Sequence, residues 1–129
     1  MLPKSLLLAI AILIPVEFQD DIMKHIVRKH DNGNPYVVIY TQGPLNERVM
    51  EELYYENGQL DYRGHYKKGR EHGSWIYYWP NGKLKSQEYY EKGLEEGVMC
   101  DYNDKGQKIK EYRYVKGTLI KETVLTPQD

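Results

Sequence analysis

The chain has 129 residues, 40% hydrophobic and 29% charged, with a formal net charge of −1. That length supports one domain with a modest core, and that charge excludes a global field drawing the protein to nucleic acid or an anionic membrane. Tyr occurs 13 times and Phe once. The bias favours extended, half-buried structure, because tyrosine can bury its ring while its hydroxyl stays wet.

Residues 1–18 differ in kind from the rest. Lys4 precedes an apolar run from Leu6 to Val16, and acid follows at Asp20 and Asp21. This is the layout of a secretory signal peptide. As a helix the run would reach about 16 Å, short of a hydrocarbon core of about 30 Å. No small-residue cleavage triplet follows it, so an uncleaved shallow anchor is the alternative and the single expected membrane contact. The protein is expected to be exported, to the periplasm, the envelope or the medium. A cytoplasmic protein with an apolar N-terminal helix is the alternative. Within residues 17–31, Phe18, Ile22 and Ile26 stand at helical spacing, which predicts a short helix or linker over residues 19–34.

From residue 35 to 126 the chain repeats itself. Gly58, Gly82 and Gly106 are spaced by 24, as are Gly69, Gly93 and Gly117, and Gly73 and Gly97. Tyr54, Tyr78 and Tyr102 keep the step, as do Tyr66, Tyr90 and Tyr114; Leu60 matches Leu84, and Trp75 matches Met99. A fixed period in this range means stacked supersecondary units. Each unit can hold two strands and two tight turns. Asn57-Gly58 and Asn81-Gly82 predict type I′ hairpins, with Trp79 opposite Leu84 and Tyr55 opposite Leu60. Lys68-Gly69, Lys92-Gly93 and Lys116-Gly117 make the second turn. The expected fold is all-β: an elongated, twisted antiparallel meander of about seven strands with a short N-terminal helix. Gly64, off the repeat, is expected to tolerate a side chain better than Gly82. Past residue 100 the unit turns polar, with Asn103 at the position of Trp79 and Lys108 at that of Leu84, as a capping unit would.

The pattern Tyr54-Tyr55-x-Asn57-Gly58-x-Leu60, Tyr66-x-x-Gly69-x-x-x-Gly73, Trp75 resembles the bacterial MORN-repeat variant. Tyr78-Trp79-x-Asn81-Gly82-x-Leu84 and Tyr90-x-x-Gly93-x-x-x-Gly97 carry it again. The resemblance implies two kinds of role: membrane-proximal or protein-scaffolding, or that of YwqK-family antitoxins. The repeated residues are those a hairpin stack needs, so they speak for fold before function.

The chain has four histidines and no HExxH, CxxC or other metal spacing. Glu88, Glu91, Glu95 and Glu96 alternate with lysines around a turn and read as a solvated edge, and Cys100, the one cysteine, as a buried inert thiol. No catalytic constellation, cofactor or metal site is expected. A sheet needs one covered face; Tyr54, Tyr78 and Tyr102 would line the other. The expected function is an exported scaffold binding a partner protein through its sheet. The alternative is an antitoxin or immunity protein neutralising a toxin, and a lipid- or glycan-associated envelope protein comes third.

Overall fold

A computed structural model describes residues 21–127; the expected signal segment, residues 1–18, lies outside them. Ten strands follow in chain order: β1 (Met23–Lys29), β2 (Pro35–Gln42), β3 (Glu47–Tyr54), β4 (Leu60–Lys67), β5 (Arg70–Tyr78), β6 (Leu84–Glu91), β7 (Leu94–Glu95), β8 (Gly97–Tyr102), β9 (Lys108–Val115) and β10 (Thr118–Val124). They form one open antiparallel sheet in sequence order, with the short β7 pairing β6. The expected meander is present, with more strands than seven.

The expected N-terminal helix is replaced by β1, which pairs β2 from Met23↔Thr41 to Lys29↔Pro35. Two physical reasons favour the strand. A helix of this length is marginal alone, and the apolar β2 would otherwise present an unpaired backbone edge. The Asn32-Gly33 turn closes this hairpin just as the later Asn-Gly turns close theirs. Side chains hold the edge in place: His25 Nε2 lies 2.9 Å from Thr41 Oγ1, and Arg28 sits over the Tyr36 ring at 5.1 Å.

The type I′ geometry expected at the Asn-Gly pairs is found at the Lys-Gly pairs instead. At the Asn-Gly turns only the glycine has positive φ, +83° at both Gly58 and Gly82. The Gly58 N–H donates to the Tyr55 carbonyl at 2.9 Å, and the Tyr55 N–H to the Gln59 carbonyl at 2.8 Å. This is a three-residue loop closed by a glycine bulge. The register therefore shifts: Leu84 faces Tyr78, not Trp79, and Leu60 faces Tyr54, not Tyr55. The type I′ turns lie at the Lys-Gly pairs, where φ is 50° and 75° at Lys68-Gly69, 52° and 83° at Lys92-Gly93, and 47° and 78° at Lys116-Gly117. Lysine is a poor residue for that conformation and asparagine a good one. Lys116→Asn is expected to stabilise the protein by about 0.5–1 kcal/mol, read as a higher midpoint in urea.

Side chains carry the repeat from turn to turn. Each turn asparagine caps its own loop: Asn57 Oδ1 accepts from the Gln59 N–H at 3.0 Å, and Asn81 Oδ1 from the Lys83 N–H at 2.9 Å. Each also reaches the next loop, Asn32 donating to the Glu56 carbonyl (2.9 Å), Asn57 to that of Pro80 (3.0 Å) and Asn81 to that of Asp104 (2.9 Å). In the last loop Lys105 takes the asparagine position, and the ladder ends. At the opposite end the Gly93 N–H donates to the Glu71 carbonyl and the Gly117 N–H to that of Glu95, each at 2.9 Å. The strand pairs slip by one residue at Asp61, Lys85 and Ile109, again at the repeat step. Such bulges raise local twist.

Among the described residues no second layer covers either face. The deeply buried side chains are few: Val38, Trp75, Met99 and Cys100 are apolar, and Thr41, Glu52 and Ser86 polar. Most tyrosines are half-buried, as the composition requires of a single sheet.

Candidate partner-binding face

Directly paired residues share a face. Val38, Glu52, Arg63, Ile76, Gln87, Cys100 and Glu111 pair successively and form one row across the sheet. Tyr54, Tyr78 and Tyr102 stand two residues further along β3, β5 and β8, on the same side as Glu52, Ile76 and Cys100. Consecutive rungs are separated by one intervening strand, hence by about 10 Å. The three tyrosines thus share a face, opposite the one on which Trp75 lies.

Their surroundings differ. Tyr54 donates to Glu52 Oε2 at 2.6 Å, and Tyr40 to the same oxygen at 2.7 Å. Arg63 closes the other side, with Nε 2.8 Å and a terminal nitrogen 2.6 Å from Oε1. Burial alone would raise the Glu52 carboxyl; the donations from Tyr54, Tyr40 and Arg63 outweigh it and hold the group below the usual carboxylate range. Burial and the Glu52 charge push the Tyr40 hydroxyl up to about 12 and raise that of Tyr54 further. Tyr54 is therefore anchored in the fold. Tyr102 makes a long hydroxyl contact to Gln87 Oε1 at 3.4 Å, near the surface. Tyr89 (49% exposed) and Val98 (52%) lie on this face as well, toward the Lys-Gly turns, about 13 Å along the strands from Tyr102. Val98 was legible only as the residue alternating with Cys100 and Tyr102.

The opposite face is an aromatic cluster. Trp75 stacks on Tyr62 with ring centroids 5.7 Å apart and receives the edges of Tyr66 at 5.3 Å and Tyr90 at 5.9 Å. Its indole N–H donates to the His65 carbonyl at 3.2 Å. The ring lies on Gly64: a Cβ there would come within 2.5 Å of three ring carbons. Gly64 is thus the tightest of the glycines, a correction to its expected tolerance. Arg48 caps the cluster, its guanidinium 3.8 Å from the Tyr66 centroid. Tyr114 lies beyond it, 6.4 Å from Tyr112. Burial raises the Glu88 carboxyl; hydroxyls of Tyr90 and Tyr77 oppose this, and the charges of Asp101 and Glu95 add to the rise. Cys100 is buried as expected. Among the described residues, no group of three His, Cys, Asp or Glu side chains could hold a metal ion.

Paired hairpins stacked at a constant step in one open sheet define a β-hairpin repeat protein. A family model described as MORN repeat variant matches residues 50–68 and 71–92, so this stretch is similar to MORN-variant repeats. Comparison with curated proteins finds no match. Among solved structures, the crystal structure of accessory secretory protein 1, 2 and 3 in Streptococcus pneumoniae is similar at 16% identity and a TM-score of 0.47, over 76% of this chain. This chain spans 18% of that one.

Proposed function

We propose that this protein is an exported, non-catalytic scaffold that binds a partner protein through the sheet face bearing Tyr54, Tyr78 and Tyr102. The observation that carries the reading is the placement of the three tyrosines, at the repeat step, on one uncovered face among the described residues. Tyrosines bury much area with few rotors and dominate binding hot spots. Export rests on the apolar run from Leu6 to Val16. The β6–β8 side of this face, with Tyr102 at one end of the strands and exposed Tyr89 and Val98 toward the other, is the expected centre of contact, because Tyr54 is committed to Glu52.

The test pairs Tyr78→Ser with Tyr102→Ser and leaves Tyr54 in place. Envelope proteins are cross-linked to the full chain in native extract and compared between wild type and double variant. A specific cross-linked species lost from the variant, with the urea midpoint nearly unchanged, is the expected result. An undiminished species would place the contact on another surface.

A further inference from the structure

At the Lys-Gly end of the sheet, Lys67, Lys68, Arg70, His72 and Lys92 line one hollow of about 380 Å³. All five lining residues are basic. They come from two successive repeats: β4, its turn and β5 supply four, and the next turn supplies Lys92. The hydrogen bond from the Gly93 N–H to the Glu71 carbonyl, 2.9 Å, clamps the two turns side by side. Along the sequence, Glu71 sits among these cations and suggests mixed charge. In the fold Glu71 pairs with Tyr66, and its carboxylate lies near the Lys92-Gly93 turn beside the Arg70 stem, outside the lining of the hollow. Among the described residues, none of the five basic side chains enters any of the ion pairs, which involve Arg48, Arg63, Lys108 and Lys110.

Gathering four permanent cations around one hollow costs mutual repulsion that no ion pair to their side chains relieves among the described residues, although the Glu71 carboxylate stands nearby. Two of them, Lys68 and Lys92, also occupy positive-φ turn positions that asparagine would fill with less strain. We propose that this hollow is a binding site for a phosphate group, held by Arg70 as a planar fork and by Lys67, Lys68 and Lys92 as point charges. His72 adds a ring nitrogen at its rim. The phosphate group comes either from a soluble ion or ester, or from a lipid headgroup. The site is separate from the tyrosine face and does not depend on the partner-binding reading.

Inorganic phosphate titrated into the full chain, followed by amide shifts at constant ionic strength, tests the site. The amides of Lys68, Gly69, Lys92 and Gly93 should move saturably, and the Arg70→Gln, Lys92→Asn double variant should weaken the response at least tenfold. A control pair, Lys105→Gln with Lys121→Gln, should leave it unchanged. Flotation with phosphatidylcholine vesicles, with and without phosphatidic acid, identifies the source. Phosphatidic-acid-dependent flotation lost in the Arg70, Lys92 variant supports a headgroup, whereas saturable phosphate binding without flotation supports a soluble ligand. No saturable shift together with no flotation overturns the proposal. So does equal weakening by the control pair, since the cations would then act only through net charge.

Discussion

Gly64→Ala is expected to destabilise the protein by about 3 kcal/mol, at the upper end of the cost of overpacking a filled site. An added Cβ would stand 2.5 Å from the Trp75 ring carbons Cδ2, Cε2 and Cε3. The ring has no easy escape. It is 7% exposed, flanked by Tyr62, Tyr66 and Tyr90, and tied through its N–H to the His65 carbonyl. Replacing a strand glycine by alanine ordinarily stabilises by up to about 1 kcal/mol, so the expected loss is net of that gain. Gly82→Ala should cost less, about 1–2 kcal/mol of backbone strain, because its Cβ meets only the flexible end of Gln59 at 3.2 Å. Trp75→Ala alone should cost about 3–5 kcal/mol. In the double variant the ring is gone and the Cβ has room, so its loss should fall short of the sum by about 2 kcal/mol. Urea denaturation of the four proteins measures this; strict additivity would show that the ring does not rest on Gly64.

Glu52→Gln is the second large effect, expected at about 3 kcal/mol at neutral pH. Breaking a buried ion pair costs about 3–5 kcal/mol, and the lower end applies because the Arg63 side chain is 46% exposed and can regain water. The amide keeps one acceptor, but it loses the charge that Tyr40, Tyr54 and Arg63 converge on. The pH dependence follows from the direction of the shift. The folded carboxyl is held below its unfolded value, so its contribution is fully present above about pH 4.3, the ordinary value for glutamate. It is lost as pH falls through the folded value. Wild type and variant should therefore converge in stability as the solution is acidified. A gap that stays constant from neutral pH to pH 3 would show that the Glu52 charge contributes nothing.

The all-β fold was legible because its periods are written in glycine and tyrosine, residues whose spacing reflects backbone geometry directly. The sharing of one face by Tyr54, Tyr78 and Tyr102 was legible for the same reason. What escaped was register. Asn-Gly fits two loop geometries, and the three-residue loop won because the asparagine oxygen then caps the loop while its amide donates to the next one. The bulges at Asp61, Lys85 and Ile109 compensate the shift further along each strand, so the aromatic cluster still assembled. β1 was misread because Ile22 and Ile26 suit a helix face and a strand face alike, both being even-numbered and four apart. Gly64 was misread because its partner is an indole from the next strand, which no local pattern reveals. The basic hollow was hidden because Lys92 lies one repeat away from the residues it joins.

The order of the strands bears on how the sheet would respond to force. Each strand pairs with its neighbours in sequence, and β1 and β10 lie at opposite edges. Tension between those two strands acts across the hydrogen-bond ladders, which then open one rung after another instead of sharing the load in shear. Each released 24-residue repeat would lengthen the chain by about 70 Å, its extended length less the span of two strands. Under load such an array extends in uniform steps and can re-form from either end, since every unit closes on its nearest neighbour.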